Sequence, residues 1–480
     1  MDGYANLEAA VSSQSGLVLQ QLVRAHRRKA VFSFLNNRSH HVLAPVLEGL
    51  RVILGNSSKG PLCSEYKVEA FWITSCVAIQ IPAMKNNEEA DKLRMVLETG
   101  LRQNVVGRAS ITDIRVIHDM FSPHMRLHSS PLSSSFSTAS APSSFQDNQW
   151  NIAKVRAPDV WPTTTGEGVV VATIDGGVNF QHDALVANYR GTVDAKNSVF
   201  NHSYNWFDYA YGSKYPDDDD GHGTNVQGIL SARYGYGVAP GAQWISAKAY
   251  NFAGYAKTSW LLGASQFIMC PTNLDGTNPD CSLGADVVSC SWGFDSATKD
   301  SLEKVIDAWV AAGMIPVFAV GNAGPKCGTV VAPADYAGVI GVGGTDSTDA
   351  LIAFSSRGPG AEGTAFNNYS PAVVAPGLNI QGPDYKSNSG YTGFSGTSQA
   401  CPHVAGVAAL MLSQDKSLNG SLQVLQRMTA LGAIVTNVPE PASAPFSCNG
   451  TAWNHFPNFL LGYGRIDAYG AVFGNKTKKD

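Results

Sequence analysis

Six short, almost wholly apolar runs recur in this chain, at 169–174, 244–249, 286–291, 315–320, 339–342 and 372–375. Segments with helical spacing stand among and after them, at 225–232, 259–269, 301–312, 397–412 and 421–431. A strand that is apolar on both sides must be covered on both, and strands alternating with helices pair in parallel. The predicted fold is α/β, a three-layer sandwich with a mainly parallel sheet and helices on both faces. In such sheets, sites form at the carboxyl ends of the strands.

Residues 1–122 follow a different pattern, that of a small α+β unit. Helix-like spacing runs over 7–35, a β-rich apolar run over 69–81, a polar helix over 87–104 and an alternating strand over 109–118. Residues 123–148 link the two parts, and the stretch 129–148 is dominated by Ser, Pro and Ala. That composition cannot build a core, so a flexible, protease-accessible linker is expected. Residues 149–475 form the second domain and 476–480 a polar tail.

Charge narrows the partners. With 34 basic and 38 acidic residues there is no basic excess to favour nucleic acid. No apolar run approaches the ~18 residues a spanning helix requires, so no membrane association is expected. The N-terminus lacks the basic and apolar regions of a signal peptide, which taken literally argues against secretion. Eight cysteines and seven Asn-x-Ser/Thr sequons argue the other way. A start site missing its leader would reconcile them.

Three segments carry chemistry. Asp175 ends a buried strand and is followed by paired glycines, His222 opens a glycine-flanked helix, and Ser398 enters a long helix of small residues. Each alone reads as structural. Together, in the order Asp, His, Ser, they supply a nucleophile, a base and a carboxylate to hold the base in one tautomer. A helix N-terminus at Ser398 turns backbone N–H groups toward the reacting carbonyl.

The blocks Thr173-Ile-Asp-Gly-Gly-Val, Gly221-His-Gly-Thr and Gly396-Thr-Ser-Gln-Ala-Cys-Pro-His-Val-Ala-Gly resemble the three active-site signatures of the subtilisin superfamily. Phe318-Ala-Val-Gly-Asn-Ala-Gly-Pro resembles its oxyanion segment. The likeness covers about 150–473, with bacillopeptidase F-like members as the closest subgroup. It implies a serine endopeptidase acting on protein and peptide substrates. Asp175, His222 and Ser398 would form its triad and Asn322 would complete the oxyanion hole. Ser291, Trp292 and Gly293 would form one cleft wall, and Ala319, Val320 and Gly321 the other. Ala323, uncharged, implies a P1 pocket for apolar or aromatic side chains. The resemblance further implies a secreted, self-processed zymogen that works as a monomer, whose N-terminal unit is its own inhibitor and folding aid. A permanent accessory domain is the competing reading of that unit, and a catalytically silent binding homologue the competing function. A sedolisin-like acid peptidase is excluded, because it requires Glu at 222 and Asp at 322.

Departures from the family pattern are Asn225 for a second His, Gln399 for Met and Cys401 for Ser. Cys401 is expected to be a buried structural thiol and His403 a packing residue. Pro402 leaves the Ser398 carbonyl without its helical donor. No cofactor is required, and Ca²⁺ is an optional structural ion. Asp183 aligns loosely with a calcium-binding aspartate of relatives. The run Asp217–Asp220 reads first as a solvated acidic loop, with Ca²⁺ ligation as the alternative. Cys270 and Cys281 flank a turn-rich loop and are expected to pair. Cys63 with Cys76, and Cys327 with Cys448, are further options.

Overall fold

The computed structural model describes part of 23–46, residues 67–80 and residues 148–474, apart from 75, 295–298, 361–368, 419, 431–433 and 442. The chain divides into two compact units, Lys29–Met120 and Met1–Arg28 with Phe121–Asp480. In the smaller unit β1 (Lys67–Phe71) and β2 (Cys76–Gln80) pair antiparallel. The β-rich apolar run over 69–81 falls in this hairpin, which turns at 72–74. The helix and strand expected at 87–104 and 109–118, the linker 123–147 and Cys63 lie outside the described residues.

The larger unit is built on one sheet. Its strands are β3 (Val170–Asp175), β4 (Trp206–Asp208), β5 (Gln243–Lys248), β6 (Val287–Cys290), β7 (Ile315–Ala319), β8 (Ile340–Thr345) and β9 (Val373–Pro376). After a separate hairpin of β10 (Ile380–Pro383) and β11 (Tyr391–Phe394), β12 (Ile434–Val435) and β13 (Arg465–Ile466) complete it. The spatial order among the described residues is β12-β13-β9-β8-β7-β6-β3-β5-β4. Neighbours are parallel except for the edge pair β12–β13. From β3 the chain builds outward to β5 and β4 on one side and to β6 through β9 on the other. That reversal opens a crevice at the carboxyl ends of β3 and β6.

From residue 148 onward the α-helices are α1 (Trp150–Lys154), α2 (His222–Ser231), α3 (Thr258–Met269), α4 (Lys299–Ala311), α5 (Thr397–Gln414), α6 (Ser421–Ala430) and α7 (Ala468–Phe473). Helices α2 and α5 pack on each other and on one face of the sheet, while α3 and α4 pair on the other. Helix α5 is buried from Thr397 to Ser413. Its small residues permit this: a Cβ on Gly406 would lie 2.5 Å from Val238 Cβ and 3.3 Å from the Leu230 carbonyl oxygen. All six apolar runs are strands and all five helical segments are helices. Strands β4, β12 and β13 are too short or too polar to announce themselves by periodicity.

Candidate active site

The crevice gathers the three chemical segments. Asp175 is the last residue of β3, His222 the first of α2 and Ser398 the second of α5. His222 Nδ1 donates to Asp175 Oδ1 at 2.8 Å, and both side chains are buried. The same oxygen accepts the Gly176 N–H at 2.7 Å. That bond puts the imidazole proton on Nδ1 and leaves Nε2 as the acceptor, buried and unpartnered. Only glycine fits at 223, where a Cβ would sit 2.1 Å from the Gly177 carbonyl oxygen and 3.1 Å from Asp175 Oδ1.

The run Asp217–Asp220, expected as a solvated loop, is only partly exposed and its carboxylates are engaged. Asp218 caps α2: Oδ2 accepts Thr224 N–H at 2.8 Å and Oδ1 accepts Gly221 N–H at 3.0 Å. Asp220 Oδ1 accepts the His222 N–H at 2.9 Å. Asp219 and Asp217 pair with the fully buried ammonium of Lys248 at 2.7 and 3.3 Å. Helix caps and an ion pair account for the four acids, so α2 begins at His222 and not at 225. Burial pulls the His222 pKa down, but Asp175, its hydrogen bond, Asp220 and Asp218 outweigh it, and the net shift is upward. Burial, and then Asp220, hold the Asp218 carboxyl above the usual range.

Ser398 and Ser291 are bonded reciprocally. Ser398 Oγ donates to the Ser291 carbonyl at 3.1 Å, and Ser291 Oγ donates to the Ser398 carbonyl at 2.7 Å. The second bond satisfies the carbonyl that Pro402 deprives of a helical donor. The first engages the Ser398 hydroxyl. Across from it, Asn322 Oδ1 accepts Thr397 N–H at 2.9 Å and Thr397 Oγ–H at 3.0 Å, which aims its Nδ2 at the Ser398 turn. A Cβ on Gly396 would lie 3.4 Å from Asn322 Nδ2 and 3.5 Å from Ser398 N. Two donors thus converge on a space that exists because residue 396 has no side chain.

The two cleft segments run from the ends of β6 and β7. Trp292 turns inward: its Nε1 donates to the Ile174 carbonyl at 2.8 Å and its ring meets Phe318 edge-on at 5.0 Å. Its side chain braces β6 against β3. The wall backbone is partly used already, since Val320 N–H donates to Val342 O and Val320 O accepts Val331 N–H. Val331 closes the gap between the walls. Its Cγ2 would lie 2.2 Å from a Cβ on Gly293 and 3.1 Å from one on Gly321. Neither Val331 nor Gly396 announces itself in sequence, because each acts through a tertiary approach.

Two of the three departures from the family pattern touch one another. Gln399 Nε2 donates to Asn225 Oδ1 at 3.3 Å, and Asn225 Nδ2 donates to the Thr392 carbonyl at 3.4 Å. Two substitutions that look unrelated in sequence form one buried amide pair. Cys401 Sγ lies 3.3 Å from the Val317 carbonyl, and burial pushes its thiol up to about 12. His403 is buried between Asn151 Nδ2 (2.9 Å) and the Gln399 carbonyl (2.8 Å), and burial lowers its pKa to about 4. It is a neutral packing group.

Cys270 is bonded to Cys281 and Cys327 to Cys448, while Cys290 and Cys401 are free and buried. Asp183 is exposed, and no group of three or more His, Cys, Asp or Glu side chains gathers as a metal site among the described residues. Among those residues, no helix is long and apolar enough to cross a membrane.

A parallel α/β sheet with Asp, His and Ser at its carboxyl edge, in that order, and an asparagine amide opposite the serine defines the subtilisin class. The sequence profile of the subtilase family matches residues 166–464, and the chain belongs to that family. Bacillopeptidase F of Bacillus subtilis (strain 168) is 34% identical over 340 residues, covering 68% of this chain and 22% of that protein. M-protease of Shouchella clausii (strain KSM-K16) is 30% identical over 300 residues, covering 61% of this chain and 67% of that protein. Subtilisin Savinase of Lederbergia lenta is 30% identical over 277 residues, covering 57% and 87%. The chain thus spans less than a quarter of the length of Bacillopeptidase F.

Proposed function

We propose that this chain is a serine endopeptidase that hydrolyses peptide bonds through an acyl-enzyme. The observation that carries this reading is the hydrogen-bonded His222–Asp175 pair, at the start of a helix that packs on the one bearing Ser398, with Asn322 bonded at that second helix start. Ser398 Oγ attacks the scissile carbonyl carbon while His222 Nε2 takes its proton, and Asp175 stabilises the resulting imidazolium. Asn322 Nδ2 and the Ser398 N–H receive the oxyanion. The imidazolium then protonates the leaving amine. Water, deprotonated by the same base, attacks the ester and frees Ser398.

Substrate backbone adds as a strand to the wall segments Ser291–Gly293 and Ala319–Gly321. Val331, packed between those walls, shortens the P1 pocket, so small apolar side chains fit better than the aromatic ones that the uncharged Ala323 alone would allow. We read residues 1 to about 148 as a prosegment, the own-chain inhibitor of a self-processed zymogen. The two disulfides fit an oxidising, extracellular compartment. The enzyme is read as a monomer needing no cofactor.

The test is labelling of the purified chain with a fluorophosphonate probe, beside Ser398→Ala. Label on the parent and none on the variant is expected. An unlabelled, folded parent would refute the protease reading. A parent that labels but stays as uncut as the variant would refute self-processing.

A further inference from the structure

At the opposite end of the sheet, the turn before β6 is built around a guanidinium. Residues 23–37 are helical, and of these 23–28 belong to the larger unit. Arg28, buried, uses all three of its nitrogens there. Nε donates to the Cys281 carbonyl at 2.9 Å, Nη1 to Asp286 Oδ1 at 3.1 Å and the Ala285 carbonyl at 3.4 Å, and Nη2 to the Ser282 carbonyl at 3.5 Å. Arg24 adds an ion pair to Asp286 Oδ2 at 3.5 Å, and Arg27 Nε donates to the Ala311 carbonyl at 2.7 Å.

The turn is shaped for this fork. The Cys270–Cys281 disulfide ties its first carbonyl to the end of α3. Residue 284 is glycine, and a Cβ there would lie 2.9 Å from Arg28 Cδ, 3.0 Å from its Nε and 2.1 Å from the Met269 carbonyl oxygen. Asp286 is buried and is not left bare without the arginine, because its Oδ2 also accepts the Val170 N–H at 3.0 Å. Arg190, whose guanidinium is bonded to the Leu283 carbonyl at 2.6 Å, adds a positive field to the same carboxylate. The larger unit can therefore release the segment and keep its fold. Val170 and Asp175 are the two ends of β3, so the turn lies roughly 17 Å from the catalytic edge.

We propose that the 281–286 turn is a guanidinium-binding site, remote from the cleft, that holds the chain's own N-terminal segment through Arg28. The site deepens the zymogen reading and rests on it for one consequence only: cutting the linker does not by itself release the segment. A planar fork that bonds a carboxylate and three carbonyls is the geometry that distinguishes arginine from lysine. A point charge at residue 28 can pair with Asp286 but cannot serve the carbonyls as well.

The test uses the full chain carrying Ser398→Ala, which keeps it whole, and reads hydrogen–deuterium exchange of the amides of 23–30 by mass spectrometry. With Arg28→Ala these amides should exchange about 10- to 100-fold faster, the size of losing a desolvated charged contact, while α2 exchanges at the parent rate. Arg28→Lys should recover only a minor part of the protection. If Arg28→Ala fails to fold, shown by loss of protection in α2, Arg28→Lys against the parent carries the comparison. Exchange within about twofold of the parent in Arg28→Ala, or full protection in Arg28→Lys, would overturn the site. A separate arm follows the chain with Ser398 intact: the cut N-terminal fragment should co-elute with the larger fragment on size exclusion and separate when Arg28 is Ala. Co-elution of both versions, or separation of both, would overturn the consequence. Absence of any cut fragment counts against the zymogen reading, and the exchange result still decides the site.

Discussion

Replacing Gly396 by alanine isolates the oxyanion space from the fold. The backbone at 396 is extended (φ 169°, ψ 165°), which any L-residue adopts, so the added methyl brings no conformational strain. Its Cβ would stand 3.4 Å from Asn322 Nδ2 and 3.5 Å from Ser398 N, with Gln399 Oε1 at 3.0 Å as the other close neighbour. An oxyanion must sit about 2.7–3.1 Å from both donors, and a carbon so near to both takes that space. Losing one such donor lowers kcat by about 10²–10³, a size measured within this family, so Gly396→Ala should lose at least 10²-fold. The Gln399 amide must shift by a few tenths of an ångström, a small strain, so the melting temperature should move by only a few degrees. The assay pairs kcat on a chromogenic peptide with a thermal melt. A folded Gly396→Ala enzyme with kcat within threefold of the parent would show that the developing charge is held elsewhere.

Asp220→Asn should move the acid limb of kcat/KM to lower pH. The base acts when neutral, Asp220 helps to raise the His222 pKa, and removing that charge lets the ring lose its proton at lower pH; an unmoved limb in the pH profile would contradict this. Val331→Ala should raise kcat/KM for a P1 Phe peptide relative to a P1 Ala peptide by about tenfold or more, the range worth one or two methylenes in a pocket. An unchanged ratio would place the P1 pocket away from Val331. The Cys327–Cys448 bond spans 121 residues, and its loss through paired serine substitutions should destabilise by about 2–5 kcal/mol, read by denaturant melts. Unchanged midpoints would mean that the bridge constrains little in the unfolded chain.

The central layer was legible because buried parallel strands carry no alternation and read as bare apolar runs. Asp175 and His222 stood out because each has glycine beside it, as in Gly176–Gly177 and Gly221-His222-Gly223. What escaped was set by distant partners. The charge run Asp217–Asp220 looks solvated until Lys248, from another strand, and the N–H groups of α2 are brought to it. Trp292 belongs to a wall segment by sequence but is claimed by the Ile174 carbonyl. Asn225 and Gln399 are 174 residues apart and explain each other only once α2 and α5 touch. The run over 69–81 showed its β character but not its turn, because residues 72–74 contain no glycine, proline or asparagine.

The helix that bears Ser398 has no wet face along seventeen consecutive residues, from Thr397 to Ser413. Such a segment gains little by becoming helical in water and much by being enclosed, so its order depends on strands far upstream having already assembled. Reactivity here is a property of completion. A partly folded chain would hold Ser398 without the Asn322 and His222 side chains that the proposed reaction sets around it.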